Sequence, residues 1–387
     1  MKSPEAAAAP GRRIETFQIG MTASPQHLSG TDRYYLELLQ HLPEQNIGVR
    51  GMVIGEPERL EGGMPGVVSF AANGLEPRLQ RWRRSRRVFR QAIGGCELVV
   101  SHGLPHAFPV LDLMGRRPFV VQFHGPWAFE ATAEGLGRVT ALVRRLQEVS
   151  VYRRAVRFIT LSQSFGKILT GDFGVDPAKL RVIPGGVNLA RYAPAMTRRE
   201  ARERLDLPLD RPIVASTRRL EPSKGIPDLI AAMALVRASH PEALCILSGT
   251  GSLHAELAQR AATGGTEGAV RFLGHVEDDV LRTLYRAADL TVVPSVAWEG
   301  FGLSVIESLA SGTPVIVTDV GGLPEVVREL DPSTIVPPRE PAVLAARIIR
   351  ALGGEIASEA ECVAYAQRFG WRAIAARVAA VYREAVA

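Results

Sequence analysis

The sequence predicts an α/β chain of two doubly wound parallel sheets, and three observations predict it. Short apolar runs alternate with amphipathic stretches almost from end to end. The runs are mostly apolar rather than alternating, as expected of strands covered by helices on both faces. They fall into two series, and 387 residues suit two domains of roughly 100–200 residues each.

The first series is Ile14–Ile19, Val49–Ile54, Glu97–Ser101, Phe119–Phe123, Phe158–Leu161 and Arg181–Ile183. The second is Ile213–Ser216, Leu244–Ser248, Val270–Leu273, Leu290–Val293, Val315–Thr318 and Thr334–Val336. Helical periodicity fills the gaps, as in Tyr35, Leu38, Leu39 and Leu42. Alternating β and α elements imply parallel sheets. The seam is expected near Asn188–Thr197, after the turn Pro184-Gly185-Gly186-Val187 and before a charged helix Arg198–Leu205. The domains are thus expected at 14–192 and 193–370, with a last helix over 371–387. The Ala/Pro-rich stretch Met1–Arg13 lacks the apolar core of a signal peptide and is expected to be a disordered lead-in.

Composition narrows the class. With 46% hydrophobic and 22% charged residues, collagen-like, low-complexity and fully disordered chains are excluded. The cysteines are Cys96, Cys245 and Cys362, an odd count without a C-x-x-C. That argues against a disulfide framework or a cysteine zinc site and fits a reducing cytoplasm. No run of about 18 apolar residues occurs, so no membrane-spanning helix is expected. The net charge of +6 admits an anionic partner but does not select one.

One charge run stands out. Arg78, Arg81, Arg83, Arg84, Arg86, Arg87 and Arg90 share a helical stretch with Leu79, Trp82, Phe89 and Ile93. Either the apolar stripe packs on its own sheet and the arginines are solvated, or the helix lies on an anionic membrane.

Two motifs carry chemistry. Glu299-Gly300-Phe301-Gly302-Leu303-Ser304-Val305-Ile306-Glu307 follows a strand and opens a helix expected over Ser304–Ala310. Glycines let a ligand approach the backbone closely, and a helix start suits a diphosphate. The flanking carboxylates suit hydroxyl-rich groups. This pattern fits a sugar nucleotide, with the sugar near Glu299 and a ribose near Glu307. The second motif, Arg219-Leu220-Glu221-Pro222-Ser223-Lys224-Gly225, places two cations after a strand of the same half. Fixed cations would stabilise a departing diphosphate in place of a divalent metal. No D-x-D occurs, and Glu277-Asp278-Asp279 reads as a helix start.

These motifs resemble glycosyltransferase family 4. The E-x7-E element from Glu299 to Glu307 and the R-L-x-x-x-K-G element from Arg219 to Gly225 match its pattern. Val182–Asn188, Phe272–Val276 and Val293-Pro294-Ser295 also stand in the family's order. The resemblance implies a GT-B fold, with two Rossmann-like domains facing a cleft and the C-terminal helix crossing back onto the N-terminal domain. It implies a retaining hexosyltransferase of polysaccharide or glycoconjugate biosynthesis, using a nucleotide sugar and no obligatory metal or other cofactor. A front-face mechanism is implied, in which the leaving phosphate takes the acceptor's proton. UDP-sugar is favoured as donor, with GDP-mannose next. The acceptor is a saccharide, a lipid-linked glycan or a small molecule.

The same resemblance assigns roles. Glu299, His124, Arg219 and Lys224 are the expected catalytic residues. Gly30, Gly249, Val276, Gly300, Phe301, Gly302, Leu303 and Glu307 are the expected donor contacts. His124 resembles the histidine that binds the donor sugar. His102 and His106 are candidates for the acceptor pocket. The family's Gly-Arg is Arg218-Arg219 here, so Arg218 is a second phosphate candidate. Ser29 stands before Gly30 where a second glycine is usual, and Trp298 beside Glu299 either stacks on a sugar or packs. The arginine-rich helix resembles the membrane-docking helix of some lipid-glycosylating members.

Other classes fit less well. A dinucleotide-dependent oxidoreductase would carry G-x-G-x-x-G after the first strand; none follows Ile19, and Gly249-Thr250-Gly251 lacks the third glycine. No nucleic-acid-binding module is recognisable. A catalytically silent sugar-nucleotide binder remains the main alternative to an enzyme.

Overall fold

The structure is a computed structural model that describes residues 12–23, 29–59, 63–127, 137–297 and 299–387. The chain forms two compact units. One contains the residues up to Gly186 together with Trp371–Ala387, and the other is Val187–Gly370.

The first unit is built on strands β1 (Ile14–Ala23), β2 (Ile47–Gly55), β3 (Val67–Ala71), β4 (Leu98–Ser101), β5 (Phe119–Phe123), β6 (Arg157–Thr160) and β7 (Leu180–Val182). They form one sheet of order β3-β2-β1-β4-β5-β6-β7, with every pair parallel. The order reverses between β1 and β4, which makes a crevice at their carboxyl ends the natural ligand position. β3 is absent from the sequence expectation. It is an edge strand whose Val68 and Ser69 are exposed, so its pattern lacks the continuous apolar run of the inner strands.

Helix Gly30–His41 starts on a capping box, in which Ser29 and Asp32 each bond the other's backbone amide. The serine that replaces a glycine before Gly30 therefore fixes the helix entry. Phe17 and Phe89 pack edge to face inside this unit, at 4.9 Å between ring centres. The last helix, Trp371–Val386, buries Trp371, Ile374, Val378, Val381 and Tyr382 against helix Gly30–His41 and strands β4, β5 and β6. Its polar side is tied down as well: Glu384 pairs with Arg181 at 2.8 Å, and Arg383 donates to the Gln45 carbonyl at 2.7 Å.

The second unit carries β8 (Ile213–Thr217), β9 (Leu244–Ser248), β10 (Val270–Gly274), β11 (Leu290–Val293), β12 (Val315–Thr318) and β13 (Ile335–Val336). Their order is β10-β9-β8-β11-β12-β13, again all parallel. The reversal lies between β8 and β11. Val214, Val292 and Ile316 lead into a core with Leu229, Met233 and Ile348. Both units are thus Rossmann-like.

The units divide at Gly186–Val187, a few residues before the expected seam. Helix Leu189–Tyr192 packs on helix Leu303–Ala310, so this segment goes with the second unit. Of the expected lead-in, residues 1–11 lie outside the described residues, while Arg12 pairs with Glu97 and Arg13 with Glu15. Among the described residues, no helix is long and apolar enough to cross a membrane.

The arginine-rich helix runs over Arg78–Ala92, and its apolar stripe is split. Phe89 and Ile93 are buried, whereas Leu79 is 58% and Trp82 41% exposed. Only the C-terminal end packs into the core.

Trp371 is buried between Tyr34, at 5.3 Å between ring centres, and His41, stacked at 6.3 Å. Trp371→Ala is expected to cost the first unit about 3–5 kcal/mol. Hydrogen exchange checks this: protection should fall in β4–β6 and not in β8–β12, and a uniform or absent loss would contradict the assignment.

Candidate active site

The second unit's site grows from the ends of β8 and β11, at the reversal of strand order. Arg218 directly follows β8, and Ser295 lies two residues beyond β11. Lys224 closes a short helical turn before Gly225. Arg218 Nη2 and Lys224 Nζ each donate to the same oxygen, Glu299 Oε1, at 2.6 Å. Arg218 also reaches Ser304 Oγ at 3.2 Å and Ser295 Oγ at 3.1 Å. The Lys224 and Glu299 side chains are only 10% and 8% exposed.

Glycine backbones make this convergence close. A Cβ on Gly249, whose φ is +134°, would stand 2.1 Å from the Arg218 carbonyl oxygen. A Cβ on Gly321, at φ +58°, would stand 2.0 Å from that of Glu299. Neither site admits a side chain without moving the residue that carries the charge.

Burial pushes the Glu299 carboxyl up, but the charges and hydrogen bonds of Arg218 and Lys224 outweigh it. The group is held below the ordinary carboxylate range and is ionised. Burial pulls the Lys224 ammonium down, Arg218 adds to that, and Glu299 opposes it. Two cations on one carboxylate leave one unit of positive charge uncompensated within the trio. In addition, Arg218 Nε is buried without a hydrogen-bond partner. A buried donor and excess positive charge are costly unless an anion meets them.

Glu307 belongs to a second cluster. Tyr285 Oη donates to Glu307 Oε2 at 3.0 Å. The Tyr285 hydroxyl proton is thereby used, so Thr217 Oγ1, 2.6 Å away, donates to Tyr285. Burial, then the Glu307 charge, raises the Tyr285 phenol, so it remains a donor. Glu307 is half-buried. Helix Leu303–Ala310 begins at Gly302 with no side chain capping it.

The expected residues separate as follows. Lys224, Glu299 and Arg218 converge, whereas Arg219 is exposed and makes no hydrogen bond among the described residues. Gly300, Gly302 and Leu303 lie in the chain between Glu299 and Glu307. Phe301 is buried and packs edge to face on Phe369 at 5.8 Å, so its side chain serves the core. Gly249 braces Arg218. Val276 follows β10, where Gly274 O accepts from Gly249 N at 2.7 Å. Trp298 lies outside the described residues. Ser295, Ser304, Thr217 and Tyr285 were given no role from the sequence: Ser295 and Ser304 lie inside quoted motifs without a chemical signal of their own, no motif marks Thr217 or Tyr285, and the adjacency of β8 and β11 brings Arg218 to the two serines.

Gly30 and His124 belong to the first unit. Gly30 is the first residue of helix Gly30–His41. His124 directly follows β5 and heads a chain of hydrogen bonds whose direction a carbonyl fixes. Thr16 Oγ1 gives its proton to the Gly48 carbonyl at 2.8 Å, so it accepts from Gln18 Nε2 at 2.9 Å. Gln18 Oε1 then faces His102 Nε2 at 3.2 Å, which donates. Burial, then His124, pushes the His102 imidazole well down, so its ring is neutral and its Nδ1 accepts from His124 Nε2 at 3.5 Å. Burial lowers His124 to about 4. A neutral His124 therefore keeps Nδ1 as its acceptor atom. Tyr34 packs edge-on at 5.1 Å and holds the ring.

Known proteins share the sequence pattern and the fold of this chain. Residues 197–369 match the family described as "Glycosyl transferases group 1", and residues 28–191 match "Glycosyltransferase Family 4". A D-inositol 3-phosphate glycosyltransferase of Acidothermus cellulolyticus is 36% identical over 63% of this chain and 56% of its own length. A glycogen synthase of Mycobacterium tuberculosis is 33% identical over 62% and 58%. The chain thus spans little more than half the length of these curated relatives. A sucrose-phosphate synthase of Thermosynechococcus elongatus has the same fold, with a TM-score of 0.77, 26% identity, and coverage of 96% of this chain and 99% of that one. Anabaena HepE, solved with UDP-glucose, gives a TM-score of 0.78 at 22% identity, covering 96% and 100%. Both halves of the chain are matched in order and the fold is shared along nearly its whole length: the chain belongs to the family 4 glycosyltransferases.

Proposed function

We propose that the chain is a retaining hexosyltransferase that takes a hexose-type sugar from a nucleoside diphosphate and passes it to a hydroxyl group. The observation that carries this reading is the buried trio of Arg218, Lys224 and Glu299. The trio's surplus positive charge and the unpartnered Arg218 Nε suit a diphosphate whose charge grows as the sugar departs. Such cations need no metal beside them to do this.

In the proposed step, the bond from the anomeric carbon to the diphosphate oxygen breaks. The acceptor oxygen bonds to the same face of that carbon, and its proton passes to the leaving phosphate. Glu307 takes the ribose hydroxyls and Tyr285 orients it. His124 Nδ1, an acceptor, takes a hydrogen bond from a hydroxyl of the donor sugar. The base lies by the backbone at His275 and Val276. We favour a UDP-sugar over GDP-mannose; thermal-shift measurements with UDP-, GDP- and ADP-sugars test this order.

Lys224→Ala should lower kcat by about 10²–10³, read in a sugar-transfer assay; near-full turnover would contradict its phosphate role. Glu299→Gln should abolish transfer and also destabilise the second unit by about 3 kcal/mol, since it leaves two buried cations unpaired. Chemical denaturation reads the second effect. The His124 ring protonates only at about pH 4, below the ordinary histidine value near 6.5. Activity should therefore hold from pH 7.5 to about 5.5 and decline only as pH approaches 4. A break near 6.5 in the kcat/KM profile that His124→Asn removes would contradict the buried, neutral ring.

A further inference from the structure

Which nitrogen of His124 carries the ring proton is decided away from the ring itself. Among the described residues, no carboxylate acts on His124 or on His102. The rings beside them are Tyr34, at 5.1 Å from His124 and 6.3 Å from His102, and Tyr35, at 4.8 Å from His102. Burial raises both phenols, so both stay neutral. Hydrogen bonds are therefore left to choose between the tautomers. His106 stands outside this group: its Nδ1 donates to the Gly20 carbonyl at 2.9 Å, and its ring packs edge to face on Phe70.

The choice begins at Gln18, a buried side chain within β1. An amide has one end that only donates and one that only accepts. Two oxygens receive the hydrogens of Gln18 Nε2. Thr16 Oγ1 takes one at 2.9 Å, its own proton being given to the Gly48 carbonyl. Tyr382 Oη takes the other: the hydrogen bond from Gln18 pulls that phenol down, which is the effect of a donor on the phenol's oxygen. Gln122 holds the same oxygen in place. Its Nε2 donates to Tyr382 Oη at 3.3 Å, and its Oε1 accepts from Tyr34 Oη at 3.1 Å. Tyr382 lies on the last helix, which belongs to this unit.

Gln18 Oε1 is thereby turned to His102 Nε2, at 3.2 Å. With the amide reversed, its oxygen would face Thr16 Oγ1, which has no proton left to give. An amide hydrogen would meet His102 Nε2, and His102 would carry its proton on Nδ1. His124, 3.5 Å away, would then accept at Nε2 and donate from Nδ1. One amide thus selects the tautomer of both rings.

We propose that Gln18 is a positioning residue for His124: its amide, pinned by Thr16 and Tyr382, acts through His102 to leave His124 Nδ1 bare for a hydroxyl of the donor sugar. This rests on the proposed contact between His124 and that sugar. The helix that ends the chain contributes an acceptor oxygen to the arrangement as well as apolar cover.

The test is NMR of the imidazole nitrogens in the full chain, together with steady-state kinetics. In the unsubstituted chain both rings should carry the proton on Nε2. Gln18→Met keeps the length of the side chain but offers only a weak acceptor, so both rings should populate the form protonated on Nδ1. Thr16→Val with Tyr382→Phe removes both receivers of the amide while keeping Gln18. It should have the same effect, and it carries the test if Gln18→Met does not fold. In the sugar-transfer assay the KM for the nucleotide sugar should rise about five- to tenfold, as for one lost hydrogen bond, with kcat little changed. Unchanged tautomers in these variants overturn the proposal whatever the KM, since Gln18 would then act by packing alone. A proton found on His124 Nδ1 in the unsubstituted chain overturns it too. Shifted tautomers with an unchanged KM instead fail the contact between His124 and the sugar on which the proposal rests.

Discussion

A single carboxylate oxygen holding two cations governs the second unit. Glu299 Oε1 cannot neutralise both Arg218 and Lys224, and burial forbids leaving the surplus to water. The surrounding backbone serves this contact. Gly249 lets one loop lie against the Arg218 carbonyl, and Gly321 lets another lie against that of Glu299. The adjacency of β8 and β11 brings the two loops together at the place where parallel strand order reverses. Charges held in this way are fixed in place by the fold itself.

The first unit repeats the architecture with different electrostatics at its own reversal of strand order. There the hydrogen-bonded chain that runs from within β1 to the residues just beyond β4 and β5 is built of neutral groups. Thr16, Gln18, His102 and His124 pass hydrogen bonds in one direction, set by a carbonyl that can only accept. Burial keeps both rings uncharged. One scaffold thus offers a positively charged site in one copy and a neutral acceptor atom in the other. The fold fixes where chemistry can occur; the side chains at the strand ends fix which chemistry it is.

Much of this was legible in the sequence, because strands buried on both faces must be apolar throughout. Leu244–Ser248, Leu290–Val293 and Val315–Thr318 were read to the residue. The edge strand Val67–Ala71 was not, since an edge needs apolar residues on one side only. In the site, Glu299, Glu307 and Lys224 were legible from spacing. Choosing Arg218 over Arg219 beside Glu299 was not: adjacent residues leaving a strand point opposite ways, and spacing does not say which turns inward. Gln18 carried a signal that went unread. With Thr16 it places two polar residues two apart, on one face of the strand, and both are buried. The split stripe of helix Arg78–Ala92 was legible as amphipathic, but where its cover ends depends on tertiary neighbours.

The return of Trp371–Val386 to the first unit has a consequence for how the chain is made. A ribosome delivers every strand of the first sheet early, then the whole second unit, and only afterwards the helix that covers β4, β5 and β6. Through that interval the nascent first unit displays the apolar surface later hidden by Ile374, Val378 and Tyr382. Domains generally mature in the order of synthesis; here the earlier-made one must wait for the later, and during that delay a holdase-type chaperone would have a surface to grip.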